Sequence, residues 1–436
     1  MNNNAKENQQ ISVERKTIST RGSSLSLPKR LVAVLVLVAL GVGLGAASLE
    51  VVVRLFFPVS DFFWQFDPVI GMKLIPGKRG QAVRRGVFDT RIEVNSIGFR
   101  DYEHPLVKPA GVRRVVLLGD SFLEAIQVPF DRSVTPLLKS RLQNVSGRTE
   151  LFNFGVSGFG TAREYLTLRE YGLRYKPDLV LLFFVGNDVS DNSRRLQGLP
   201  YVPYPQTTPD GELARDGAGR PLFTPFADQS SRLSFMTGLL KNQSKSYRFL
   251  REMIDNSPGL NRLLYQLRLV STPPETVNAP GGDNFGFYEI YRLQPKPAWA
   301  EAWRLTEDLM LATRDLAAAN GAKFGVVLIP AYWEVDSQRW EQALAQLPAM
   351  RGAALDLEQP SKRLTQFLAA HGVPVINLLP PFRERAAGLP PLYLKSDAHW
   401  TADGHKLAAD LLAEPVEALL GSHPEPLASN NLELRQ

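Results

Sequence analysis

The chain has 436 residues, a hydrophobic fraction of 44% and a net charge of +6. That is long enough for a large core and more than one folding unit, and its scattered Pro and Gly exclude a low-complexity protein. The absence of cysteine excludes disulfides, thiolate metal sites and a cysteine nucleophile.

Residues 1–30 form a basic tail. Lys6, Arg15, Lys16, Arg21, Lys29 and Arg30 against Glu7 and Glu14 carry +4 of the charge, so the rest is nearly neutral and a nucleic-acid surface is not expected. "LVAVLVLVALGVGLGAASL", Leu31–Leu49, holds no charged residue and spans about 28 Å as a helix, close to the thickness of a bilayer core. With Lys29 and Arg30 just before it, residues 31–53 read as a transmembrane signal-anchor. The N-terminus is then cytoplasmic, in a bacterial inner membrane, and the remainder periplasmic or extracellular. A cleaved signal peptide is the alternative, since "GAAS" offers small residues, but the apolar stretch exceeds the usual signal-peptide core of roughly 7–15 residues.

Residues 54–111 read as a connecting region of short strands and turns, with "PGKRG" a turn and "FDTRIEVNSIGFRD" a strand followed by a glycine turn. Over 112–195 the pattern changes to the apolar strands "RRVVLLGDS", "ELFNFGVSG" and "DLVLLFFVGND". Between the last two, Ala162, Tyr165, Leu166 and Leu173 share a helical face. Residues 196–299 break this rhythm and read as an insertion or cap, with one helical region near 244–269. Over 300–422 the rhythm returns: a helix near 300–319, the strand "AKFGVVLIPA", helices near 336–370, the strand "VPVINLLP" and a helix after Thr401. Residues 423–436 form a tail. Apolar strands alternating with helices predict an α/β fold, an open and mostly parallel sheet with helices on both faces.

In such sheets reactive groups gather beyond the carboxyl ends of the strands. "GDSFLEA", Gly119–Ala125, ends the first apolar strand on an acid and a serine. A serine hydroxyl is a weak nucleophile that needs a base, and the base needs a partner to hold its tautomer. Asp397 and His399 in "SDAHWTADGH" can supply these to Ser121. The oxyanion formed on attack needs donors. The N–H of Ser121, the N–H of Gly158 in "NFGVSGFGT" and the side-chain amide of Asn187 in "VGNDVSDN" are the candidates.

Taken in order, these blocks resemble the SGNH hydrolase superfamily, the GDSL-type esterases and lipases. Its four blocks contribute a Ser, a Gly, an Asn and a late Asp/His pair, matched here by Ser121, Gly158, Asn187, and Asp397 with His399. The resemblance covers roughly residues 112–195 and 300–420 and leaves the insertion outside. It implies a three-layer, flavodoxin-like fold and a serine-based acyl transfer that requires no cofactor. Phe122 stands where Leu is commonest, and Val185 where a Gly usually precedes x-N-D. The late pair is Asp-x-His, not Asp-x-x-His. That D-x-H-W form resembles the envelope branch with alginate-type O-acetyltransferases.

Each residue also has a plainer reading. Asp-Ser is common turn chemistry, Gly158 alone is a turn glycine and Asn187 alone a strand-end cap; their joint order is what argues for a site. A second Asp-x-His, Asp403 and His405, rivals the first. Thr401 reads as the N-cap of the last helix, which places His405 inside that helix and leaves His399 in the loop before it. Asp120 and Asp188 read as structural and loop-ordering residues. Tyr332 and Trp333 follow a strand and are possible substrate contacts, or simple loop packing. No spacing suggests a metal site.

The resulting expectation is a serine esterase acting on acyl esters, acetyl among them, of envelope glycans or lipids, anchored in the membrane through residues 31–53. An O-acyltransferase modifying an exported polysaccharide is the alternative, and a non-catalytic partner in an envelope assembly a further one. Protein partners are not legible.

Overall fold

The computed structural model describes residues 26–421, except 147, 227–237, 239, 241, 256, 268–284, 346–349, 351, 387–389 and 396. The chain divides into two units at Leu55 and Phe56. Among the described residues, one helix, α1 (Leu27–Phe56), is long and apolar enough to cross a membrane. It runs past the expected 31–53 at both ends, because Lys29 and Arg30 are good helix formers and Glu50 pairs with Arg54 one turn on, at 2.7 Å.

The second unit begins with two antiparallel hairpins. Strands β1 (Trp64–Asp67) and β2 (Gly71–Leu74) form one, β3 (Arg79–Arg84) and β4 (Phe88–Glu93) the other. Phe63, Leu74, Ala82, Ile92 and Val94 give this region a small core of its own.

Strands β5 (Arg113–Gly119) and β7 (Leu179–Phe184) read as unbroken apolar runs because both faces of the sheet are covered, and every residue in them is buried. They pair in parallel with β6 (Thr149–Gly155), β8 (Lys323–Leu328) and β9 (Val375–Asn377) in the order β6-β5-β7-β8-β9. Alternate residues serve opposite faces. Val116, Leu118, Val180 and Leu182 join one core, and Val115, Leu117, Leu179 and Leu181 the other.

The first face is covered by α3 (Thr161–Glu170), α6 (Pro297–Ala319) and α7 (Gln359–Ala370), through Tyr165, Trp303 and Leu364 among others. The second is covered by α2 (Val134–Ser146) and α8 (Ala402–Leu420), through Leu138 and Leu412. This is the expected α/β architecture with a five-stranded parallel sheet. The helical region near 244–269 is two helices, α4 (Lys245–Asp255) and α5 (Pro258–Gln266), because Pro258 cannot continue the first. In this strand order the crevice for a ligand opens where the winding reverses, between the carboxyl ends of β5 and β7.

Candidate active site

Strand β5 delivers Ser121 to that crevice. The Asp120 side chain accepts the N–H of Phe122 at 2.9 Å, which caps the turn and makes Ser121 the first residue of the short helix Ser121–Glu124. As the first residue of that helix, Ser121 has an N–H with no acceptor within the helix. The turn is held from below. Asn153 donates to the carbonyl of Leu123 at 2.8 Å, and buried Arg100 forks onto the carbonyls of Glu124, Ala125 and Val128. Burial lowers the Arg100 pKa to about 10, opposed by Glu124 and Asp131, so the fork stays charged at neutral pH. The turn lies directly on Gly155, where a Cβ would meet the side chain of Leu123 and stand 2.6 Å from the Glu124 nitrogen.

The loop after β6 presents Gly158, which is exposed with φ +74, a conformation that favours glycine. Its N–H has no protein acceptor among the described residues. The Ser157 N–H beside it is held by the buried carboxylate of Glu124.

The loop before α8 supplies the other half. His399 Nε2 lies 2.7 Å from Ser121 Oγ. Its Nδ1 is hydrogen-bonded to Asp397 Oδ1, which also accepts the His399 N–H at 3.1 Å. Phe122 packs against the imidazole with ring centroids 5.0 Å apart, and Trp400 packs on Phe122 at 5.1 Å. The Leu394 N–H donates to the His399 carbonyl at 2.9 Å, and the Thr401 N–H to that of Leu392 at 2.9 Å, fixing the loop at both ends. Burial pushes the Asp397 carboxyl up, but hydrogen bonds from His399 and Arg84 outweigh it and leave its pKa at about 2. Asp397 is therefore an anion across the neutral range.

Arg84 is the residue that sequence reasoning missed. It ends β3, in the region read only as a connection, and its Nη1 donates to Asp397 Oδ2 at 2.8 Å. No local motif marks it; "VRRGVFD" reads as a hairpin turn with surface charge.

Asn187 stands just past the end of β7, before the short helix Asp188–Asp191. Its Nδ2 donates to Asp120 Oδ2 at 3.2 Å and to Asp191 Oδ2 at 3.1 Å. The same Asp120 oxygen lies 3.3 Å from Ser121 Oγ. Asp120 thus links the serine to the amide in addition to capping its turn.

Behind these groups lies a buried set of carboxyls. Burial raises Asp120, against the Phe122 N–H and the His399 charge, and pushes Asp191 up to about 7 against the pull of Arg163. Burial and the neighbouring charge of Asp120 push Glu164 well above the usual carboxylate range. Burial and the charges of Glu164 and Asp120 do the same to Asp188. Like charges this close do not all ionise.

The rival histidine is placed elsewhere. His405 lies within α8 and is 1% exposed, with its ring edge-on to Trp400. Its Nδ1 accepts the Val134 N–H at 3.3 Å, and burial holds its pKa down to about 3. Thr401 caps α8, its hydroxyl accepting the Gly404 N–H at 3.2 Å. The aromatic pair divides. Tyr332 is half-buried, whereas Trp333 is 3% exposed and its indole N–H donates to the Tyr291 hydroxyl at 2.6 Å.

The parallel sheet and the Ser, Gly, Asn and Asp/His groups at its carboxyl edge define a protein of the SGNH class. The chain belongs to the SGNH/GDSL hydrolase superfamily. A domain family described as "SGNH hydrolase-like domain, acetyltransferase AlgX" matches residues 282–435, the part that holds Asp397 and His399. The "GDSL-like Lipase/Acylhydrolase" family matches residues 115–216, which hold Ser121, Gly158 and Asn187. No curated protein matches the chain. Among solved structures, an acetyl xylan esterase, AlAXEase, is 13% identical, with a TM-score of 0.36 over 70% of this chain and 100% of its own. TesA is 12% identical, with a TM-score of 0.36 over 70% and 99%. The lipase/acylhydrolase from Enterococcus faecalis is 16% identical, with a TM-score of 0.33 over 70% and 95%.

Proposed function

We propose that this chain is a membrane-anchored serine enzyme that transfers an acyl group, acetyl in the first instance, onto a hydroxyl of an exported polysaccharide. The observation that carries the acyl-transfer chemistry is the continuous hydrogen-bonded line from Ser121 Oγ through His399 to Asp397. Ser121 Oγ attacks the ester carbonyl while its proton passes to His399 Nε2. Asp397, anionic and hydrogen-bonded at Nδ1, stabilises the imidazolium and holds the ring in place. The negative charge on the carbonyl oxygen is met by the N–H groups of Ser121 and Gly158 and by the amide of Asn187. The leaving alkoxide takes the proton from Nε2 as its C–O bond breaks, which leaves an acyl-serine. An acceptor hydroxyl then gives its proton to Nε2 and attacks the acyl carbon; the bond from that carbon to Ser121 Oγ breaks, and Oγ takes the proton back from Nε2, restoring Ser121 and neutral His399.

The acceptor is the open choice between two readings. The match to an acetyltransferase domain over residues 282–435 favours a sugar hydroxyl. The match of the serine-bearing half to a lipase/acylhydrolase family favours water, and so an esterase of envelope glycans or lipids. The anchor supports work outside the cytoplasm. Residues 112–195 and 300–422 are proposed as the two halves of the catalytic domain and 196–299 as an insertion or cap.

The test is to supply the purified full chain with an acetyl ester, with and without a polysaccharide acceptor. Acetylated polysaccharide formed at the expense of free acetate supports the transferase. Acetate release unchanged by acceptor supports the esterase. Absence of any acyl-Ser121 by mass spectrometry overturns both.

A further inference from the structure

Helices α4 and α5 lie outside both halves of the catalytic domain and leave large apolar residues in solvent. On α4, Leu250 and Met253 are 46% and 53% exposed; on α5 and just beyond it, Leu260, Leu263 and Leu267 are 41%, 52% and 58% exposed. The spacing is three residues on the first and three and four on the second, so on each helix these residues share one face. Buried residues explain the other side: Asn261 is fully buried, and Arg248 pairs with Asp61 at 3.1 Å. A globular surface does not keep two adjacent stripes of this kind in water without a reason.

What covers them is indicated by where α4 is held. Phe57 follows the last residue of α1 directly in the chain, and its ring packs on Phe249 of α4 with centroids 4.8 Å apart. The Arg85 guanidinium lies over both rings, at 5.8 and 5.2 Å. Helix α4 is therefore tied to the residue that follows α1 in the chain. Lys245, Arg251 and Arg262 add cationic side chains to the same two helices. An amphipathic helix with basic residues lies in a membrane interface, its apolar face sunk about 5–10 Å below the headgroups.

We infer that α4 and α5 form a second membrane contact, an in-plane helix pair that rests on the outer surface of the bilayer crossed by α1. This rests on the reading of α1 as an uncleaved anchor. It bears on the site as well. A groove of about 420 Å³ is lined by Arg84, Arg85, Phe249, Glu252 and Met253, so α4 shares a groove with the arginine that holds Asp397. The bilayer contact would set that side of the site at the membrane surface.

The chain has no cysteine, so single labels are clean. The full-length protein is prepared in phosphatidylethanolamine/phosphatidylglycerol nanodiscs as Leu263→Cys, Leu250→Cys, Leu40→Cys and Gln366→Cys, each with an environment-sensitive fluorophore. Gln366 is an exposed position on α7. Nitroxide lipids should quench the labels at 250 and 263, most strongly when the nitroxide is near the headgroup, and leave 366 unquenched. The label at 40 should be quenched best by a nitroxide deep in the acyl region. Labels at 250 and 263 that respond only to aqueous iodide, that are shielded from both quenchers by a second protein copy, or that are quenched no more than 366 would overturn the inference while leaving the anchor intact. An unquenched label at 40 would overturn the anchor, and the inference with it.

Discussion

Arg84 Nη1 and Asp397 Oδ2 meet at 2.8 Å although 313 residues separate them in sequence. The hairpin that carries Arg84 therefore closes over the loop that carries Asp397 and His399. Arg84 is half-exposed, so its attraction is screened and its effect is on position more than on stability. Arg84→Ala should lower kcat several-fold with KM and Tm nearly unchanged, and Arg84→Lys should restore part of the loss. Steady-state kinetics of the three proteins on an acetyl ester checks this; an unchanged kcat would make the pair a surface contact only.

The two histidines should separate cleanly. Ser121→Ala and His399→Ala should each abolish acyl transfer with the fold intact, because the 2.7 Å contact between them carries the serine proton to the imidazole. His405→Ala should keep most activity and lose stability, since its acceptor for the Val134 N–H is removed. Turnover and thermal melts of the three variants decide the assignment, and a dead His405→Ala with an active His399→Ala would reverse it.

His405 also predicts a pH dependence. Burial keeps it neutral in the fold with a pKa near 3, whereas in the unfolded chain the value is about 6.5. Below about 6.5 the unfolded chain takes up a proton that the folded one does not. The stability contribution is then complete above that pH and falls as pH drops towards 3, at about 1.4 kcal/mol per pH unit. His405→Gln keeps an acceptor for Val134 and removes the titration. Urea midpoints between pH 7 and 4 should fall less steeply for this variant than for the parent.

Asn187 is held between two carboxyls in the resting site. If its amide turns a donor onto the oxyanion only as charge develops, Asn187→Ala should lower kcat by about 10²–10³ with little change in KM. A change confined to KM would make Asn187 a substrate-binding residue instead.

The fit of the serine turn on β6 is a steric prediction. At Gly155 a Cβ would press on Leu123 and stand 2.6 Å from the Glu124 backbone nitrogen, which cannot swing away as a side chain end can. Gly155→Ala should displace the turn that carries Ser121, and a shift of about 1 Å there costs about 10² in rate. Turnover and the thermal melt of Gly155→Ala, compared with Gly158→Ala, test it. Position 158 has open space for the methyl but a strained backbone, and so should lose activity with less loss of fold.

The sheet was legible in the sequence because β5 and β7 are covered on both faces and so must be apolar at every step. The blocks around Ser121, Gly158 and Asn187 were legible for a related reason: polar and glycine residues that end such a run are tolerated only where the strand leaves the core. Asp397 and His399 stood out beside a capped helix. Helix α2 went unread although Val134, Leu138 and Leu142 recur every four residues, because Pro136 masks its first turn.

What only the tertiary structure decided are relations between distant segments. The strand order places the ends of β5 and β7 at one crevice. Packing buries Trp333, whose local sequence reads as readily for an open loop, and buries His405, which the sequence places only within the last helix. The hairpin brings Arg84 to Asp397, and the pairing of β5 with β7 brings Asn187 to Asp120, through hydrogen bonds that leave no periodicity in the chain. The physical reason is that hydrophobic burial acts along the sequence at fixed helical and strand spacings. The pairing of two charged or polar groups depends on where the completed fold happens to set them.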